Sequence, residues 1–211
     1  MSEEHGRDVI RVLLADDQAL VRGALVALLG LEPDLQVVAE VGRGDEVVDV
    51  ARRSRPDVVL MDVEMPGIDG ITATAALRAA LPSCRVLVVT TFGRPGYLQR
   101  AIEAGASGFV VKDTPARQLA DAVRRAHRGL RVVDPMLAAE TLAVGASPLS
   151  VRESQVLTSS RAGGTVADIA AELHLSEGTV RNHLSAAIGK TGARTRAEAV
   201  RIAEQNGWLP A

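Results

Sequence analysis

The sequence predicts a chain in two parts: an α/β domain, a doubly wound parallel sheet of the (βα)5 type, followed by an all-α domain of four helices. Three observations carry that expectation. The 211 residues correspond to one or two domains at roughly 150 residues each. Up to residue 128, short β-branched-rich apolar runs alternate five times with segments of helical spacing. Beyond that point the alternation stops and only helix-start signals follow.

In chain order, the apolar runs are 9–15, 35–41, 58–61, 85–89 and 108–111, too short for buried helices. The helical segments between and after them are 18–29, 46–53, 71–80, 96–104 and 116–128. Near-continuous apolar strands joined by helices mean a parallel sheet covered on both faces, with right-handed crossovers. The punctuation agrees: Pro33 and Asp34 end the first helix, Pro56 and Asp57 precede the third strand, and Gly105 closes the fourth helix. Residues 131–133 read as a short extended piece. A short helix over 135–142 opens on Asp134 and Pro135, and 143–148 reads as a linker. Helices then follow near 151–162, 166–173, 177–190 and 196–205. Ser150 with Glu153 and Thr195 with Glu198 fit the capping box, and Thr165 with Asp168 is a weaker version of it. The expected domains are therefore residues 8–129, a linker over 130–147 containing the short helix, and 148–211.

Composition narrows the function classes. Hydrophobic residues make up 47% and charged residues 24%, as in ordinary globular proteins. The formal charge of −2 gives no global basic field. A lone cysteine, Cys84, excludes an internal disulfide and a Cys-rich zinc site, and four scattered His argue against a metal cage. The opening MSEEHGRDVI lacks the basic and apolar regions of a secretory signal, and no run of 18 apolar residues exists. A soluble cytoplasmic protein is expected. Of the 24 basic residues only Lys112 and Lys190 are Lys.

In a doubly wound sheet, ligands bind outside the carboxyl ends of the strands. Asp16 and Asp17 follow the first strand there, Asp62 ends the third, Thr90 the fourth and Lys112 the fifth. Carboxylates this close repel by about 4 kcal/mol per pair at about 4 Å and an effective dielectric of about 20, so they need a cation. Hard oxygen ligands with few protein donors suit Mg²⁺. Each residue alone has a plain structural reading: Asp17 as a helix cap, Thr90 as a strand former, Phe109 as core, Lys112 as a surface lysine. In a chain that otherwise uses Arg, a compact ammonium at that place is better explained by the site. The GxxxxGK[ST] and GxGxxG fingerprints are absent.

With Asp16-Asp17, the MDVEMPGIDG stretch around Asp62, Thr90, and FVVKD around Lys112, residues 9–128 resemble a response-regulator receiver domain, which has the flavodoxin-like fold. The resemblance implies that Asp62 accepts a phosphoryl group from a histidine kinase. Asp17, with Asp16 partly through water, holds Mg²⁺ alongside Asp62 and the backbone carbonyl of Glu64. It further implies that Lys112 pairs with the acceptor and then with the phosphoryl oxygen, and that Thr90 hydrogen-bonds the phosphoryl group while Phe109 fills the space released. Family members often carry Tyr at the position of Phe109, so a hydroxyl-dependent signal is not expected. A haloacid-dehalogenase-type phosphatase would need its nucleophilic Asp and general acid two residues apart, whereas Asp16 and Asp17 are adjacent and Gln18 follows.

In the second part, a helix breaks at His174-Leu175, restarts at Ser176 and continues as LSEGTVRNHL. Residues 149–205 resemble the LuxR-type four-helix helix-turn-helix DNA-binding domain. Ile169, Leu173, Leu175, Val180, Leu184 and Ile188 are the expected core. Residues 181–196 carry Arg181, Lys190, Arg194 and Arg196 without an acid, whereas 148–180 hold two Arg against four acids. Helical spacing points Arg181, Asn182 and Ser185 outward while Val180 and Leu184 face inward. Arg and Asn suit guanine and adenine edges; Thr179, Lys190, Arg194 and Arg196 are placed for phosphates. Val151 stands where the family commonly has Pro. Gly189 costs about 1 kcal/mol in a helix, and the helix is expected to bend or end there.

Together these resemblances identify the chain as a member of the NarL/FixJ class of response regulators, with LSAAIGKTGAR and TTFGRPGYLQRA similar to its DesR-like branch. They imply a phosphorylation-switched transcriptional regulator, not a turnover enzyme. The implied partners are a membrane-bound, DesK-like sensor histidine kinase, double-stranded operator DNA and, on phosphorylation, a second copy, with RNA polymerase as a further one. Two readings from other classes compete: a phosphorylation-independent DNA-binding regulator, and a phosphate-hydrolysing enzyme with an accessory helical domain. Acetyl phosphate with Mg²⁺ separates the three by one stable phosphoryl group, none, or many turnovers.

Overall fold

The computed structural model describes residues 9–91, 95–134, 137–139, 147–161 and 163–209. The chain divides into two compact units, the first built on a sheet and the second on four helices. The sheet unit runs β1 (Ile10–Ala15), α1 (Ala19–Leu29), β2 (Leu35–Val41), a 3-10 turn (Gly44–Glu46), α2 (Val47–Ser54), β3 (Val58–Asp62), α3 (Gly70–Ala80), β4 (Arg85–Thr90), α4 (Pro95–Glu103), β5 (Gly108–Val111), α5 (Ala116–His127) and β6 (Val132–Val133). The strands lie in the order β2-β1-β3-β4-β5-β6, all paired parallel. Five strands are where the apolar runs place them. The sixth is a difference: Val132 and Val133 pair with Gly108 and Phe109, so the start of the expected linker belongs to the sheet.

A period of two divides each strand between two cores. Val12, Leu14, Val58, Leu60, Leu87, Val89 and Val110 pack with Leu29 of α1 and with Leu119 and Val123 of α5. The alternate residues Leu13, Val59, Met61, Val86, Val88 and Phe109 are equally buried, as are Val47 and Ala51 of α2 and Ile71 and Leu77 of α3. The β1–β2 register shifts between Val12 and Leu13. Arginines hold the loops at the far edge: Arg11 donates to the carbonyls of Ser54 and Arg55 at the end of α2, and Arg124 of α5 pairs with Glu32 and Asp34.

Residues 137–139 are helical; the rest of the helix expected over 135–142, residues 143–146 of the linker and residues 1–8 lie outside the described residues. The helical unit comprises α6 (Val151–Ser159), α7 (Val166–Leu173), α8 (Glu177–Thr191) and α9 (Arg196–Gln205). Its core contains Ile169, Val180 and Leu184, with Leu173, Leu175 and Ile188 packed against it. Capping boxes close at Ser150–Glu153 and at Thr165–Asp168, the latter complete although Asp is one methylene shorter in reach than the usual Glu. At Thr195 only half forms: its side chain accepts from the Glu198 N–H, but the Glu198 carboxylate takes the N–H of Arg194 instead. No helix among the described residues is long and apolar enough to cross a membrane.

Candidate functional site

The parallel sheet brings distant residues to one edge. β1 and β3 are neighbours at the point where the chain switches from building the sheet in one direction to the other, and Asp16 and Asp62 stand at their carboxyl ends. Oxygens of Asp16, Asp17 and Asp62 lie within 4.8 Å of one another. Asp16 and Asp62 are buried and Asp17 is exposed. Lys112, just beyond β5, places its Nζ 2.7 Å from Asp16 Oδ2 and 2.8 Å from Asp62 Oδ2. The link to Asp62 is the one the receiver-domain resemblance implies; the link to Asp16 is additional.

Each carboxylate is also anchored locally. Asp62 Oδ1 accepts the N–H of Val63 at 2.8 Å, and Asp16 Oδ1 accepts that of Gln18 at 2.9 Å. Gln18, not Asp17, is the N-cap of α1 and makes no side-chain cap bond, which leaves Asp17 outside that role. One ammonium between two buried acids, with a third beside them, leaves negative charge in excess. Burial, the largest influence, pushes the Asp62 carboxyl above its ordinary value although Lys112 pulls the other way. Burial also opposes the Lys112 ammonium, but the hydrogen bonds to Asp16 and Asp62 outweigh it and raise that group. The donor set, three carboxylates and no nitrogen or sulfur, fits a hard divalent cation.

Thr90 is buried at the end of β4, and its carbonyl accepts the Lys112 N–H at 2.7 Å. Phe109 pairs with Val88, so by the two-residue period it shares a face with Thr90; it is fully buried. Glu64 is exposed in the loop after β3. That loop is braced by residues of the MDVEMPGIDG stretch to which the resemblance assigns no role of their own, and by Gly44. The N–H of Gly70 bonds the Val63 carbonyl at 2.9 Å, and that of Gly44 bonds the Pro66 carbonyl at 3.1 Å. Asp69 caps α3 by accepting from the Thr72 N–H. The Asp69-Gly70 pair before an apolar helical pattern is the signal that could have revealed this brace.

On α8, Arg181, Asn182 and Ser185 are exposed while Val180 and Leu184 are buried, the division expected from the wheel. Arg181 pairs with the exposed Glu177 one turn earlier. Ser176 caps the helix, its hydroxyl 2.8 Å from that of Thr179. The helix passes through Gly189 without ending there and stops at Thr191, one residue beyond the expected 190, with Gly192 as the C-cap whose φ of +66° closes it. A glycine at φ > 0 is a better stop than one inside the helix. Arg194 is exposed. Arg196 donates to the carbonyl of Gly164 at 2.8 Å, and Lys190 is ion-paired with Glu153. Three of the four residues placed for phosphates, Thr179, Lys190 and Arg196, thus have intramolecular partners.

Comparison with known proteins matches both units. Residues 12–124 match the family model described as response regulator receiver domain, and residues 147–203 match that of the bacterial regulatory proteins, luxR family. The chain is 41% identical to the transcriptional regulatory protein YvfU of Bacillus subtilis, over 95% of this chain and all of that one. It is 40% identical to the transcriptional regulatory protein DesR of the same organism, with the same coverage. Among solved structures, the response regulator ChrA of a heme-sensing two-component system is 36% identical, covering 94% of this chain and 98% of the other at a TM-score of 0.58.

Proposed function

Since the chain belongs to the NarL/FixJ family of response regulators, DNA-binding transcriptional regulators of two-component systems, we propose that Asp62 is its phosphoryl acceptor and that phosphorylation drives dimerisation and operator binding. The observation that carries this is the convergence of Asp16, Asp17 and Asp62 with Lys112 bridging two of them. Asp16, Asp17, Asp62 and the backbone carbonyl of Glu64 would hold Mg²⁺. Bound there, Mg²⁺ neutralises charge on the carboxylates and on the incoming phosphoryl oxygens.

An Asp62 carboxylate oxygen forms a bond to phosphorus as the bond from phosphorus to the nitrogen of a kinase phosphohistidine breaks. The imidazole leaves with the electron pair. The chain contributes no turnover beyond its own phosphorylation and its reversal. The Val63 N–H and the Lys112 ammonium fix the carboxylate plane beforehand. Lys112 then donates to the phosphoryl oxygen, and the Thr90 hydroxyl does the same, drawing its strand end inward. Phe109, on the same face, fills the space this movement vacates. The phosphoryl group adds about −1.5 to −2 charge, and the loops that carry Thr90 and Lys112 transmit the change.

One helix-turn-helix unit buries only about 600–1,000 Å² on DNA, so tight binding calls for two copies on two half-sites. An apolar stripe on and after α1 supports a dimer: Leu20 is 87% and Leu31 78% exposed, with Leu28 between them also exposed. Such a stripe is unusual on a monomer surface. On DNA, Arg181, Asn182 and Ser185 read base edges, while Thr179, Arg194 and Arg196 lie toward the backbone. A membrane-bound, DesK-like histidine kinase supplies the phosphoryl group on the cytoplasmic side, and RNA polymerase is the downstream partner.

The test is labelling with acetyl phosphate and Mg²⁺ on the wild type and Asp62→Asn, read together with DNA binding. One stable phosphoryl group per wild-type chain, none on the variant, and tighter binding only where label is present are the expected results. Many turnovers per chain would mean an enzyme, and absence of label a phosphorylation-independent regulator.

A further inference from the structure

The proposed switch uses one of the chain's two lysines. The other, Lys190, lies near the end of α8, and its Nζ stands 3.0 and 2.8 Å from the two carboxylate oxygens of Glu153, 37 residues earlier. Glu153 is the third residue of α6 and only 6% exposed, the one buried acid among the described residues of the helical unit. Its Oε2 also accepts the Ser150 N–H at 2.7 Å, and its own N–H bonds the Ser150 hydroxyl. The start of α6 and the last turns of α8 are therefore joined through one buried carboxylate.

A buried carboxylate needs a cation held in good geometry, and removing that cation strands the charge. Moving Lys190 to a DNA phosphate would do this. The packing of α8 shows why such a tie matters. Its first half is set by Val180 and Leu184, buried and large. Its second half offers Ala186, Ala187 and Gly189 beside a half-buried Ile188; Ala187 is buried, and Gly189 has nothing within 4 Å of the place a Cβ would occupy. Small side chains and one half-buried isoleucine define the roll of a helix less tightly than two buried large ones, and a directional ion pair adds the missing constraint.

We infer that Lys190 is a positioning residue: with Glu153 it fixes the pose of α8, and so which of its side chains reach base edges, and it does not hold a DNA phosphate. This rests on the reading of α8 as the recognition helix. The role is compatible with the electrostatics, since the Lys190 contact, more than any other, holds the Glu153 carboxyl below its ordinary value.

The test uses the full chain, a duplex selected by it from a random pool, and a scrambled duplex, titrated at several salt concentrations. Lys190→Ala is expected to weaken the selected duplex by about tenfold while the scrambled duplex and the salt slope stay as in the wild type. Glu153→Gln is expected to do the same. That outcome is diagnostic, because removing an acid should strengthen binding if charge alone mattered. The double variant Lys190→Met with Glu153→Gln leaves no stranded charge, keeps an acceptor for Ser150, and should fold even if a single variant does not. Discrimination in it below the wild type supports positioning, and wild-type discrimination overturns it. The inference is equally overturned if Lys190→Ala lowers the slope on both duplexes by about one per subunit while Glu153→Gln binds normally. Failure of the recognition-helix reading looks different: Arg181→Ala and Asn182→Ala would then leave discrimination untouched.

Discussion

Gly70 lies so close to the main-chain carbonyl of Asp62 that a Cβ built on it would stand 1.7 Å from that oxygen. The first turn of α3 is thus pressed against the residue proposed to take the phosphoryl group. Gly70→Ala must push the two apart, with a loss of about 1–3 kcal/mol and slower phosphoryl uptake by the folded protein. Gly23 in α1 provides the control, because a Cβ there meets nothing within 4 Å. Gly23→Ala should raise stability by up to about 1 kcal/mol without changing labelling. Thermal melts and acetyl phosphate labelling of both variants check the contrast.

Asp17 is the exposed member of the acidic cluster and makes no cap bond. Asp17→Asn should lower Mg²⁺ affinity by about tenfold or more, since charge count sets the strength of such sites, and phosphorylation should slow with it. Calorimetric titration with Mg²⁺ measures this directly. An unchanged affinity would remove Asp17 from the site.

Lys112 reaches two carboxylates from one compact nitrogen, and a guanidinium in its place is larger and planar. Lys112→Arg keeps the charge but should abolish most phosphorylation-dependent dimerisation. Sedimentation before and after acetyl phosphate reports it, and normal dimerisation would show that charge alone suffices.

Arg181 and Asn182 are exposed on α8. Replacing either by Ala should cost about 1–3 kcal/mol on the selected duplex and relax preference at one position. Arg194→Ala should instead weaken all duplexes alike and reduce the salt slope by about one per subunit. Identical profiles for the two classes would mean that α8 does not read bases.

Lys190, with smaller help from Ser150, holds the Glu153 carboxyl below its ordinary value of 4.5 against the opposing effect of burial. A depressed carboxyl contributes stability that is complete above its unfolded value and disappears as pH falls through the folded one. The melting temperature of the helical unit should therefore drop below about pH 5, and Glu153→Gln should flatten that drop while starting lower at neutral pH. Parallel curves for the two proteins would show that Glu153 is not the group titrating.

Local patterns made much of this molecule legible. Runs such as 58–61 and 108–111 announced strands because β-branched residues recur where both faces are buried, and the ends of those strands pointed to Asp62 and Lys112. Val132–Val133 escaped assignment to the sheet because two residues carry no period; only pairing with β5 makes them a strand. Glu153 was readable as a helix-start residue, from a spacing of three, but its partner 37 positions away leaves no local trace. The same holds for Asp16 and Lys112, whereas the Glu198 carboxylate takes the N–H of Arg194, only four positions back, in place of its capping-box partner.

Both lysines of this chain lie against buried acids, Lys112 against Asp16 and Asp62, Lys190 against Glu153. The 22 arginines that make up the rest of its positive charge are inert to acylation. The side chains of the protein are therefore nearly blank to amine chemistry, and an acylating agent has only two of them to find. Neutralising either one by acetylation, a common fate of lysine, would act at once on the phosphoryl site or on the seat of α8. No decoy amines elsewhere on its side chains would dilute the effect.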